Sequence, residues 1–242
     1  MRAKSLYDFL TQMARRLKLA QPVVSTAQYL CHVHRLAQAS FHADQMNLYA
    51  AALYLAAKMH NKHRSIADFV EVFYGFKYGG YQTPSESLTK ERSQQISEHL
   101  QRAEKDVANA LDFDFDIELP YPFLSQFREV VGESEQLDRV VQTASFFLND
   151  IFMTQLVMFF HPLVLAMACL KMAREYLETK EGARLAEFPD VTVQTETGEQ
   201  YELGWWQVLD ERVDFASICE VQRRVERFYQ KCQETLHKKK QQ

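Results

Sequence analysis

The sequence predicts an all-α protein made of two tandem five-helix bundles, and three observations predict it. Glycine and proline are scarce, 7 and 6 in 242 residues, while 47% of the residues are hydrophobic, a composition that suits long helices better than a turn-rich sheet. Apolar residues recur at helical spacing along most of the chain. The chain also matches itself at a shift of 117 residues: Leu48 meets Leu165, Ala51 meets Ala168, Leu53 meets Leu170 and Ala56 meets Ala173. The same shift brings Thr26-Ala27 onto Thr143-Ala144 and Tyr29-Leu30 onto Phe146-Phe147. One register serving two separate helices implies two copies of one supersecondary unit.

Taken in order, Leu6, Phe9, Leu10, Met13 and Leu17 mark a first helix, and Pro22 sits where a second begins, its missing N–H costing nothing in a first turn. Leu48, Ala51, Ala52, Leu55, Ala56 and Met59 form the face of a third. Its many alanines let neighbouring backbones approach, so this helix reads as the hub of a bundle, with Lys58 at its end. Ser65-Ile66-Ala67-Asp68 resembles a capping box opening a fourth helix. Gly75 to Lys90, with Gly-Gly, Pro and several Tyr, reads as a long loop, and Ile96, Leu100, Ala103, Val107 and Leu111 give a fifth helix. Phe113 to Pro120 alternates acidic and apolar residues before Pro-Tyr-Pro and reads as an extended linker. In the second half helices are expected near 121–131, 135–155, 162–180, 203–210 and 214–235, the last with Ile218, Val221, Val225, Phe228 and Cys232 on its stripe. Val191 to Tyr201 alternates about Thr-Gly as a small β-hairpin would.

Other features bound the function. No window holds the eighteen or so uncharged apolar residues of a membrane span, so a soluble protein is expected. The opening MRAKSLYDFL lacks a secretory leader and reads straight into the first helix, so no additional N-terminal helix is expected. Cys31, Cys169, Cys219 and Cys232 lie far apart in apolar helical patterns and read as small buried hydrophobes of a reducing compartment. The net charge of −4 disfavours direct binding to nucleic acid, which needs clustered cations, and favours a protein partner. Lys238-Lys239-Lys240 belongs to a basic tail over 237–242, read as a solubilising, frayed end with a nuclear address as the alternative.

Several segments together resemble a known family, the cyclins, and within it the transcriptional branch. In the first half these are RRLKLAQPVVSTAQYL, His34-Arg35, Ser40-Phe41 and AAALYLAAK; in the second they are LPYPFL, FFLND, LAMACL and Trp205-Trp206. The likeness is nearest to the K type and extends to the T and L types. It implies an N-terminal cyclin box over 1–116, a C-terminal box over 117–236 and a nuclear regulatory protein that forms a heterodimer with a cyclin-dependent protein kinase. The kinase would be a transcriptional one acting on the RNA polymerase II C-terminal domain. No cofactor is implied. The family's kinase-facing pair, a Lys closing the hub helix and a Glu in the fifth helix, falls on Lys58 and Glu104, with Leu55, Leu111 and Phe113 supplying apolar area. A Lys and a Glu on one rim offer a partner's backbone hydrogen bonds of both polarities. The sequence departs from the family where Met59-His60-Asn61-Lys62-His63 follows Lys58 in place of acidic residues, and where only Arg2 and Lys4 lie near the family's early arginine.

Rival readings are a cyclin-box general transcription factor that binds DNA, or a scaffold without a kinase. The first wants a strongly basic second box and a zinc ribbon, and this sequence has neither. No phosphate loop, nucleophile elbow or H-E-x-x-H occurs, so no catalytic residues are assigned and no enzyme is expected. His32 with His34, and His60 with His63, lack the further ligands of a metal site and are read as solvated or partner-facing. Trp205 and Trp206 read as packed core aromatics, and Asp112, Asp114, Asp116 and Glu118 as a solvated edge.

Overall fold

The computed structural model describes residues 3–37, 44–62, 64–78, 88–182, 188, 191–194 and 200–240, which form nine α-helices and one two-stranded hairpin. By their contacts the residues divide into two units, Met1–Ile117 and Glu118–Gln242. The first holds α1 (Ala3–Arg16), α2 (Gln21–Ala37), α3 (Gln45–Met59), α4 (Ile66–Tyr78) and α5 (Lys90–Ala110). Helix α3 is its hub and packs on all four of the others, most extensively on α2 and α5. The cause is visible in its side chains: Ala50, Ala51, Ala52, Leu53 and Ala56 are wholly enclosed, and the alanines let two neighbouring helices close in at once. Helix α1 buries Leu6, Phe9, Leu10 and Met13, and Leu17 just past its end completes the stripe the sequence marks out.

Helix ends in this unit follow local rules. Ser65 and Asp68 form a reciprocal capping box, Ser65 N–H donating to Asp68 Oδ2 and Asp68 N–H to Ser65 Oγ, both at 3.1 Å. Helices α1, α3 and α5 all stop by one device. The N–H groups of Leu19, Lys62 and Phe113 reach back to the carbonyls of Ala14, Ala57 and Ala108 at 2.9, 2.8 and 3.0 Å. In each case the residue just before the donor is left-handed: Lys18 (φ 52°), Asn61 (φ 53°) and Asp112 (φ 50°). Phe113 follows with φ 60°, so the connecting segment turns sharply at its first residue instead of starting extended. Gly75 to Tyr78, read from the sequence as loop, continue α4; residues 79–87 lie outside the described residues.

The second unit holds α6 (Tyr121–Val131), α7 (Glu135–Ile151), α8 (Pro162–Glu181), β1 (Val191–Gln194), β2 (Gln200–Leu203) and α9 (Phe215–Lys240). The internal repeat has a structural counterpart. Helices α2 and α3 pair in the first unit as α7 and α8 do in the second, and Leu165, Ala168, Leu170 and Ala173 are enclosed like their partners in α3. Even the caps keep the shift: Asp44 accepts from Met46 N–H at 3.1 Å, and His161 Nδ1 from Leu163 N–H at 3.2 Å.

Departures from the sequence reading cluster in this unit. Over 203–210 there is no α-helix: Leu203 ends β2, and Trp205–Gln207 form one 3-10 turn. Gly204 is required there, since a Cβ would meet the Trp206 ring at 2.5 Å. The second unit therefore has four α-helices among the described residues, and the expected count of five applies to the first alone. Helix α7 stops at Ile151 short of 155, because Thr154 caps a separate 3-10 turn, Gln155–Met158, by accepting from Leu156 N–H at 3.2 Å. The hairpin is antiparallel, with Val191 opposite Leu203 and Gln194 opposite Gln200; residues 195–199 lie outside the described residues. Helix α9 runs on to Lys240, so Lys238 to Lys240 continue a helix where a frayed tail was expected. Cys31 and Cys169 are buried, and burial pushes both thiols up; Cys219 and Cys232 are half-buried. No helix among the described residues is long and apolar enough to cross a membrane.

Candidate functional site

Lys58 and Glu104 sit on two helices that the hub packing brings together. Lys58 lies in the last turn of α3, and Glu104 lies one turn beyond enclosed Leu100 on α5, at the edge of the α3/α5 seam. Their side chains meet, Lys58 Nζ donating to Glu104 Oε1 at 2.6 Å. The lysine side chain is 46% exposed and the glutamate 15%, so the pair forms a rim, open to solvent on the lysine side. At that exposure the ion pair is worth about 0.2–1 kcal/mol to the fold. Its geometry is set by neighbours. The Lys58 ammonium lies 4.2 Å over the Tyr54 ring, and that ring stands edge-on to enclosed Phe69 at 4.9 Å. The pair uses one of three ammonium protons, and donors on Lys58 and lone pairs on Glu104 remain for a partner.

The turn after Lys58 is tied down. His60 Nε2 lies 2.8 Å from Thr26 Oγ1 on α2, and burial, with the charge of Lys62 second, holds the imidazole below its ordinary pKa. His32 faces the Tyr7 hydroxyl at 3.2 Å, and His34 is buried, its pKa lowered by that burial and opposed by Asp106. These three histidines are thus structural, where the sequence reading had them solvated or partner-facing; His63 lies outside the described residues. A polar donor at helical spacing is silent about burial until the opposing helix is known.

The apolar residues assigned to the rim separate. Leu55 is 7% exposed and belongs to the core of the first unit, so it offers a partner almost no area, contrary to its assignment. Its position on α3 faces inward because the hub has neighbours on nearly every side. Leu111 is half-buried and Phe113 is 58% exposed. Phe115, which the sequence reading passed over, is also exposed and stands edge-on to Phe113 at 6.3 Å. Tyr54 was missed too, although its place one helical turn before Lys58 was a readable signal.

Residues 1–116, close to half the chain, match the family model described as cyclin, N-terminal domain. That stretch is similar to the cyclins. Among curated relatives it is 28% identical over 179 residues to Cyclin-T1-4 of Arabidopsis thaliana, covering 73% of this chain and 32% of that one. It is 28% identical over 164 residues to human Cyclin-L1, covering 67% of this chain and 31% of that one. These relatives carry T-type and L-type names, whereas the special nearness to the K type rests on the sequence reading alone. The chain spans about a third of the length of these relatives. Its fold is similar to a chain in the crystal structure of the yeast RNA Pol II CTD kinase CTDK-1 complex, with a TM-score of 0.64, 14% identity, and coverage of 74% of this chain and 56% of that one. A chain of the Chaetomium thermophilum CAK complex bound to ATP-gamma-S gives a TM-score of 0.57 at 17% identity, covering 71% of this chain and 50% of that one.

In the second unit Trp205 and Trp206 are half-buried. Trp205 packs against Phe188 and Phe127 at 4.8 and 6.0 Å, and Trp206 against Phe215 at 4.5 Å, as packed aromatics should. Asp112, Asp114, Asp116 and Glu118 are exposed, and Asp114 adds to the burial that raises the Tyr29 pKa.

Proposed function

We propose that this chain is a cyclin, the regulatory subunit of a cyclin-dependent protein kinase, docking through the rim of Lys58, Glu104, Leu111 and Phe113, with residues 117–236 as its second box. The observation that carries the reading is the 2.6 Å meeting of Lys58 and Glu104, 46 residues apart in the chain, on an accessible edge of α3 and α5. In the complex the first box holds the kinase's regulatory helix inward, where that helix's glutamate pairs with the phosphate-positioning lysine of the kinase. The cyclin does no chemistry; it binds the active kinase conformer more tightly than the inactive one, and that difference limits the activation it produces. The names of its T-type and L-type relatives, and a fold shared with a chain of an RNA Pol II CTD kinase complex, support a nuclear complex acting on the C-terminal domain of RNA polymerase II.

Charge reversal tests the rim. Lys58→Glu and Glu104→Lys, each alone, abolish co-purification of a co-expressed cyclin-dependent kinase while far-UV circular dichroism stays unchanged. The double swap restores an intrachain ion pair with its polarity reversed, so it recovers stability but not kinase binding. Full kinase binding by either single variant overturns the assignment.

A further inference from the structure

Away from the rim, the second unit carries a cleft of about 330 Å³ between the 3-10 turn after α7 and helix α9. Arg224, Arg227 and Lys231 line it, and their spacing of three and four residues puts them on one strip of α9. Phe159 and Phe228 line it too, beside Thr154, Gln155 and Leu156; Phe159 is 62% exposed. The three cations are not equivalent. Arg224 Nε donates to Glu220 at 2.7 Å, and its guanidinium lies 5.4 Å from the Phe160 ring centroid, so it is neutralised and anchored. Arg227 and Lys231 are exposed and enter no salt bridge among the described residues. Glu220, already hydrogen-bonded to Arg224, reaches Arg227 only through its charge. In a chain of net charge −4, two exposed cations without a salt bridge of their own beside an exposed aromatic ring in a concavity are a local inversion of the prevailing charge.

We propose that this cleft binds a phosphorylated peptide segment, with Arg227 and Lys231 on the phosphate and Phe159 and Phe228 against the neighbouring side chain. The chemistry selects this ligand class. A phosphate dianion matches two exposed cations in charge, and with two oxygens on the guanidinium fork it keeps a third for the lysine ammonium, which a lone carboxylate lacks. A free phosphate would leave most of the cleft and both phenylalanines unused, whereas a peptide fills the volume and covers the rings. The site does not depend on the kinase-docking reading, because it lies wholly in the second unit and uses none of the rim residues.

Fluorescence anisotropy on the full chain tests it, with a labelled short peptide that carries one phosphoserine beside a leucine, and with its unphosphorylated twin. The phosphopeptide binds about tenfold or more tightly than the twin. Arg227→Gln combined with Lys231→Gln erases that difference with helicity unchanged, and Phe159→Ala weakens both peptides by a similar factor. Equal binding of the two peptides, or a difference that survives the double glutamine variant, overturns the proposal. So does inorganic phosphate that displaces the peptide as effectively as unlabelled phosphopeptide, which marks a free-anion site. Tighter binding of a labelled single-stranded RNA than of the phosphopeptide overturns it in favour of nucleic acid.

Discussion

Lys18, Asn61 and Asp112 each hold a left-handed backbone at the end of a helix, a position where glycine carries no Cβ penalty. Asparagine and aspartate tolerate it through local hydrogen bonding, but lysine has no such compensation. Lys18→Gly therefore raises the stability of the first unit by about 1 kcal/mol, read as a higher urea midpoint at unchanged m-value. Asn61 stands three residues after Lys58, so the same local geometry that ends α3 also presents the lysine at the rim. The repeat and the capping box were legible as residues in sequence; these left-handed ends were not, because no glycine signals them.

At the scale of one element, α3 shows how a helix with little amphipathic contrast becomes a hub. Its alanines are enclosed on several sides, and the corresponding positions of α8 are enclosed as well. Ala51→Leu would insert three extra carbons where no space remains, and overpacking of this kind costs about 1–3 kcal/mol. Ala168→Leu should cost a similar amount in the second unit. Urea denaturation of each variant checks this, with a midpoint unchanged from the parent counting against enclosure. In the first unit periodicity marked the first, third and fifth helices, and Pro22 and a capping box marked the starts of the second and fourth. The 203–210 segment misled because a Trp pair with flanking apolar residues reads alike as a short helix or as a plug, and only Gly204 folded under Trp206 decides between them.

For the molecule as a whole, two histidines couple the stability of the first unit to pH. Burial lowers both His34 and His60, with Asp106 opposing the shift at His34 and Lys62 adding to it at His60. The fold thus favours the neutral imidazoles. As pH falls through the ordinary histidine range, the unfolded chain takes up protons that the fold resists, so stability is full above that range and declines below it. The urea midpoint should drop between about pH 7.5 and about pH 5.5, and His34→Gln with His60→Gln should flatten the drop. An equal drop in the double variant would assign the effect to other groups.

The sequence by itself determined the helical class, the duplication and most helix positions in the first unit, because periodicity, capping and an internal repeat are local or self-referential signals; the lysine and glutamate of the rim were singled out by the likeness to the cyclins instead. Tertiary structure alone decided that Leu55 turns inward while Phe115 is exposed, that His32, His34 and His60 are structural, and that Arg227 and Lys231 share a cleft with Phe159. Burial and proximity depend on which helix packs against which, and a single chain read residue by residue carries no record of its neighbours across the bundle.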